Sequence, residues 1–201
     1  MHYSLIMIGA HDGSKTLPLI REASGKGKVL LVEPVPFLFR RLGIAVSGIP
    51  NVTLANVCVS LVDGDVEFTA PTESATRGGD QLGSLNPRHA VDHLPEMSGH
   101  IETILAKSMT FDSLVRTYEV SSVETLFTDM EGFDCELLPT FPFASVSPMN
   151  IVFEYKHSDG TFRVGKKLGM LLIALDFLGY DITVLDLENF LARRRAPAAA
   201  V

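Results

Sequence analysis

Short apolar runs, each broken by glycines or ended by an acid, recur along this chain, and their spacing predicts alternating strands and helices. Residues 4–8 form the first run and read as a strand buried on both faces of a parallel sheet. It breaks at Gly9-Ala10-His11-Asp12-Gly13, after which residues 16–23 predict a helix ending near Gly25-Lys26-Gly27. A second apolar run, 29–33, stops at Glu33-Pro34. Pro36 opens the next predicted helix, with Leu38 and Leu42 on its inner face. The Gly48-Ile49-Pro50-Asn51 turn leads into a third strand at 52–60. Val62-Asp63-Gly64-Asp65 then turns the chain back into a strand at 66–68, a predicted hairpin.

From 70 to about 106 the periodicity fails. This segment carries Pro71, Gly78-Gly79, Gly83, Pro87, Pro95 and Gly99 together with His89, His93 and His100. Irregular segments of that length inside a compact domain are functional or disordered, and a substrate-side loop is expected. Order returns at Met109-Thr110-Phe111-Asp112-Ser113-Leu114, followed by a helix to Tyr118. Residues 123–128 predict a strand ending in Asp129-Met130-Glu131-Gly132, and 151–155 another ending in Lys156-His157. Val164, Leu168, Leu171, Leu172, Leu175 and Leu178 mark one face of a long helix, with Gly179 as its cap and 180–185 as the last strand. A disordered tail is expected at 196–201. The alternation predicts an α/β fold, a doubly wound and mostly parallel three-layered sheet in one domain over 1–195, with ligands at the carboxyl ends of the strands.

Composition narrows the chemistry. A net charge of −7 argues against a nucleic-acid partner, which needs clustered Lys and Arg, and Arg193-Arg194-Arg195 reads as a solvated helix end. Cys58 and Cys135 are too far apart in sequence for a zinc motif or a disulfide framework, so reduced thiols are expected. The richest apolar stretch, 170–178, is cut by Asp176, and Met1-His2-Tyr3 leads into a strand with no cleavage site. A cytoplasmic protein with no membrane partner is therefore expected, and its oligomeric state is left open.

Every predicted buried strand delivers polar groups at its carboxyl end: Gly9 and His11, then Glu33, then Asp129 and Glu131, then His157. Gly9 and Gly13 can close a turn that exposes backbone N–H groups, as a plain strand-to-helix loop also would. Glu33 can accept hydrogen bonds from a ribose diol, or be a surface acid. Of Asp129 and Glu131, one is expected to anchor a cofactor's amino group and the other to orient or deprotonate a substrate hydroxyl, the alternative being helix capping. His157 is a catalytic candidate or a neutral supporting group. His89 and His93 have the i, i+4 spacing of metal ligands on a helix, but no third ligand is evident; exposed loop histidines and no metal site are expected. Nothing matches a Ser-His-Asp system or a Gly-Lys-Ser/Thr phosphate loop.

The ordered set Ile8-Gly9-Ala10-His11-Asp12-Gly13, Val32-Glu33-Pro34, Thr110-Phe111-Asp112-Ser113-Leu114 and Asp129-Met130-Glu131-Gly132-Phe133-Asp134 resembles the FkbM-type methyltransferases. The resemblance covers roughly residues 5–155, and the Asp-x-Glu-Gly block is its most specific part. It implies a Rossmann-like methyltransferase sheet that binds S-adenosylmethionine and transfers its methyl to a hydroxyl of a small molecule or sugar. In that reading Gly9, Ala10, His11 and Gly13 face the methionine and ribose, Glu33 and Pro34 the ribose, Val57 and Cys58 the adenine. Asp129 and Glu131 lie near the methyl and the acceptor. Met7 stands where the family usually carries an acid, and Thr128 where many members carry Lys. The alternatives are a non-catalytic methyltransferase-like binding domain and, from the first βαβ unit alone, a nicotinamide-nucleotide oxidoreductase.

Overall fold

The computed structural model describes residues 1–75 and 79–196. In chain order the elements are β1 (His2–Ile8), α1 (Leu17–Lys26), β2 (Lys28–Val32), α2 (Pro36–Ala45), β3 (Val52–Ala55), β4 (Cys58–Val59) and β5 (Gly64–Pro71). There follow α3 (His89–His93), β6 (Ile101–Met109), α4 (Phe111–Thr117), β7 (Ser122–Thr128), α5 (Asp134–Leu137) and β8 (Asn150–Glu154). The chain finishes with α6 (Lys166–Phe177), β9 (Tyr180–Val184) and β10 (Asn189–Arg194).

Seven strands form the main sheet in the order β3-β2-β1-β7-β8-β10-β9. All pairings from β3 to β8 are parallel, and β10 lies antiparallel between β8 and β9. Alternate residues of β1 divide the core. Leu5 and Met7 pack with Ile20 and Ala23 of α1 and Leu42 of α2, whereas Ile6 and Ile8 belong to the cluster of α4 and α6. Helices on both faces make the three-layered, doubly wound arrangement, which explains why residues 5–8 of β1 and 29–32 of β2 are wholly apolar. Met7 is fully buried within this core. The strand order reverses at β1, so a crevice opens between the carboxyl ends of β1 and β7.

Several local expectations are corrected. The third strand stops at Ala55, where Asn56 turns out of the sheet and its Nδ2 donates to the carbonyls of Glu33 (2.7 Å) and Pro34 (3.1 Å). β5 therefore pairs not with β3 but with β6, and β4 joins the other edge of β6, giving a second sheet of order β4-β6-β5. Its inner residues Cys58, Phe68 and Ala106 pack on Val35, Phe37 and Leu38 at the start of α2. The segment 70–106 is thus far from structureless: it completes β5, carries α3 and begins β6. Gly78 lies outside the described residues. Tyr180–Val184 is not the last strand, and Arg193 and Arg194 belong to β10 rather than to a helix end. Arg195 bonds Asp176 Oδ1 at 2.6 Å and the Tyr180 carbonyl at 3.1 Å. The expected tail beyond Ala196 also lies outside the described residues. On α6 the inner face is Leu168, Leu171 and Leu175, whereas Val164 and Leu178 are exposed. Gly179 does end the helix, at φ 89°.

The two glycine environments of the first βαβ unit make opposite predictions. Gly9 has φ 79°, and a Cβ there would lie 2.0 Å from the Asp129 carbonyl oxygen. Gly9→Ala is expected to cost about 2–5 kcal/mol, from left-handed strain of about 1–2 and overpacking of about 1–3. Gly25, inside α1, has nothing within 4 Å of such a Cβ. Gly25→Ala should be neutral or stabilise by up to about 1 kcal/mol. Urea unfolding of both variants checks this, and equal midpoints would contradict it.

Candidate functional site

The crevice at the sheet's switch point holds a cavity of about 420 Å³, within the range of small-molecule sites. One wall is the turn after β1. Gly9 and Ala10 donate their N–H groups to the Val32 carbonyl at 3.0 Å each, and His11 adopts φ 53°. That bend brings the His11 N–H 2.9 Å from Glu33 Oε2, while Val35 N–H donates to Oε1 at 2.8 Å. Glu33 is buried, so the surface-acid alternative is overturned. Each oxygen keeps a further lone pair for an incoming hydroxyl. Burial pushes the Glu33 carboxyl up to about 7, against the lowering effect of the Val35 and His11 amides.

Pro34, Val57 and Cys58 also line the cavity, joined by Phe68 and Leu82 from the segment that covers it. Cys58 and Cys135 are free and buried, and burial raises both thiols to about 12, which leaves them unreactive. Gly13 does not reach the cavity wall. A Cβ there would meet Leu42 Cδ1 at 2.7 Å, so this glycine lets α2 pack on the turn. His11 Nδ1 meets Asp12 Oδ1 at 3.1 Å and Nε2 meets the Asp80 carbonyl at 3.2 Å, linking the turn to the covering segment.

The opposite wall is the turn after β7. Asp129 continues the ladder by donating its N–H to the Ile8 carbonyl at 3.0 Å. Glu131 and Gly132 then take φ 47° and 96°, two successive left-handed residues, and a Cβ on Gly132 would stand only 3.1 Å from the His157 carbonyl oxygen. For Glu131 this is a strained conformation, of the kind that clusters at functional sites. Met130 N–H donates to Asp134 Oδ2 at 2.9 Å, which braces the turn. Asp129, Glu131, Asp134 and Glu154 crowd together here with Lys156. Burial, and then repulsion among neighbouring carboxylates, raises the carboxyls of all four. Asp129 Oδ1 and Glu154 Oε2 are buried with no hydrogen-bond partner among the described residues.

Two histidines in this corner, His89 and His93, stand elsewhere than the sequence led one to expect. His89 is not an exposed loop residue: it is 1% exposed, and its Nε2 lies 2.7 Å from Glu131 Oε2. His93, half-buried, lines the main cavity. Both pack against His157, with ring centroids 4.8 Å and 5.2 Å away. His157 is fully buried and borders a second cavity of about 390 Å³ rather than the main one; Glu131 lines both. Phe162 N–H donates to His157 Nδ1 at 2.9 Å. Burial lowers His89 to about 4 and His157 to about 3, so both rings are neutral. Only the i, i+4 spacing of His89 and His93 hinted at this cluster in the sequence.

Among the described residues no helix is long and apolar enough to cross a membrane. No curated protein sequence matches the chain. Among solved structures, it is similar to the fibrillarin pre-rRNA processing protein of Methanococcus jannaschii, with 13% identity, TM-score 0.51, and coverage of 96% of this chain and 66% of that one. A fibrillarin in complex with Nop5p gives 12% identity, TM-score 0.51, and coverage of 96% and 73%. Aeropyrum pernix fibrillarin, which carries natively bound S-adenosyl-L-methionine, gives 11%, 0.49, and 94% of this chain against 65% of that one. This chain thus spans just under two thirds of the two archaeal fibrillarins named by organism. Likeness at such identities establishes the fold alone. The family model is more specific, since the FkbM methyltransferase domain matches residues 8–192. The chain belongs to the FkbM methyltransferase domain family.

Proposed function

We propose that this chain is an S-adenosylmethionine-dependent methyltransferase that methylates a hydroxyl of a small molecule or sugar. The observation that carries the reading is Glu33: a buried carboxylate at the end of β2, held by the His11 and Val35 amides and bordering the cavity. A carboxylate so placed suits a ribose diol, whose two hydroxyls both donate. Gly9 lets the β1 turn pack directly on the Asp129 carbonyl at the cavity edge, and the apolar side chains of Val57 and Phe68 suit a purine face. The residues present therefore fit this cofactor.

When bound, S-adenosylmethionine supplies an electrophilic methyl on a sulfonium. The chain's part is to align an acceptor oxygen with that methyl carbon and to take its proton. Glu131 is the best-placed proton acceptor, because it borders both cavities and pairs with His89. Asp129, facing the β1 turn, suits the cofactor's amino group. His157 is buried away from the main cavity and suits a positioning role on the Glu131–Gly132 turn. A non-catalytic binding domain is the second reading, favoured by Met7, which fills the core where the family usually has an acid.

Calorimetric titration with S-adenosylmethionine tests the cofactor. Glu33→Ala should weaken binding by about 1.5–3 kcal/mol, the worth of hydrogen bonds to a charged group. Unchanged affinity, or binding of NAD in its place, would contradict the assignment. Binding without methyl transfer to a broad set of hydroxyl compounds would favour the non-catalytic reading. The pH dependence has a defined sign. The ligand needs Glu33 ionised, its carboxyl titrates at about 7 in the free protein, and binding lowers that value. Affinity should therefore be full well above pH 7 and fall, by up to about tenfold per unit, as pH drops below it. Glu33→Gln should flatten that fall, and an equally steep profile in the variant would assign it to another group.

A further inference from the structure

His89 and His93 project from one face of α3, and His157 meets them from the chain after β8. One ring nitrogen from each lies within 4.8 Å of the other two, and one oxygen each from Glu131 and Glu154 stands equally close to His157. Two of these imidazoles are incomplete: His93 Nδ1 and His157 Nε2 are buried with no hydrogen-bond partner among the described residues. A buried polar atom without a partner costs about 1–3 kcal/mol, and two of them within one cluster of three histidines indicate an absent ligand common to both.

We propose that His89, His93 and His157 form a site for a divalent transition-metal ion of the zinc type, its fourth position open to water beside Glu131. Three imidazole nitrogens are a donor set of zinc-like ions and not of magnesium or calcium, which take oxygen. The surroundings are those of a metal shell. Thr161 Oγ1 lies 3.4 Å from His89 Nδ1, where it can accept that ring's proton; Nε2 then ligates by giving up its 2.7 Å contact with Glu131 Oε2. Phe162 covers the cluster from outside, its ring centroid 4.3 Å from that of His93 and 4.9 Å from that of His157.

Loading requires two further adjustments. Tetrahedral ligands at 2.0–2.1 Å stand about 3.4 Å apart, so spacings of up to 4.8 Å must close by at most about 1.4 Å. The neutral His157 ring now carries its proton on Nε2, because Nδ1 accepts the Phe162 N–H. Ligation through Nε2 moves the proton to Nδ1 and gives up that bond. Phe162 holds φ 55°, a strained value for a bulky residue, so releasing the turn relieves strain. The site stands whether or not the main cavity takes S-adenosylmethionine.

The test uses the full chain without a histidine tag, stripped of metal by a chelator and titrated with Co²⁺. Visible absorption of tetrahedral type, saturating at one ion per chain and bleached by one equivalent of Zn²⁺, is expected. His93→Ala, half-buried and the least disruptive ligand change, should weaken Co²⁺ binding at least about 100-fold, the upper range for losing even an outer-shell partner. His100→Ala, at a histidine outside the cluster, should leave it unchanged. Far-ultraviolet circular dichroism establishes that each variant is folded, and should His93→Ala fail that check, His93→Gln replaces it. Absence of the visible band in folded wild-type protein under excess Co²⁺ would overturn the site, as would wild-type affinity in a folded His93 variant.

Discussion

The contact on which this molecule turns is the approach of β1 to β7 at their carboxyl ends. Gly9 lies so close to the Asp129 carbonyl that no side chain fits between them, while the next residues of the same turn reach across to Val32 and Glu33. Three adjacent strands are thereby tied together at the point where the sheet reverses direction. A cavity results because the helices leave on opposite faces there, and nothing from the main sheet can fill the gap. The small sheet β4-β6-β5 covers it instead, packed on the start of α2.

That geometry explains which parts were legible in the sequence. β1, β2, β7 and β8 read clearly because both of their faces are buried, so each is a short apolar run ended by a polar residue. Glu33 and the Asp129–Glu131 pair follow directly from those ends. β6 was hidden because it is half exposed: Glu102, Leu105 and Lys107 face water, and the alternation is broken by small residues. β10 was hidden because its polar residues cover an antiparallel pairing that no periodic run announces. Asn56 ended β3 early through hydrogen bonds to the carbonyls of residues 33 and 34, a long-range event. The histidine cluster could not be read beyond the i, i+4 spacing of His89 and His93. Its members are 64 and 68 residues apart across α3 and the end of β8, and only the fold brings them together.

Electrostatics gives the same corner its character. Four acids sit where burial raises every carboxyl, so from about pH 4 upward the native state holds protons that the unfolded chain has released. The corner therefore contributes most to stability in acid and progressively less as pH rises through the raised values. A fold optimised only for stability would place apolar side chains here. The arrangement makes sense for a site that meets cationic or proton-donating ligands, which favour the ionised acids.

The most direct test of the account is a crystal structure of the chain with S-adenosylhomocysteine. The ribose hydroxyls are expected on the Glu33 carboxylate, the adenine beside Val57 and Cys58, and the homocysteine end between the Gly9–His11 turn and Asp129. Density for the ligand elsewhere, or in the cavity with its ribose turned away from Glu33, would contradict it.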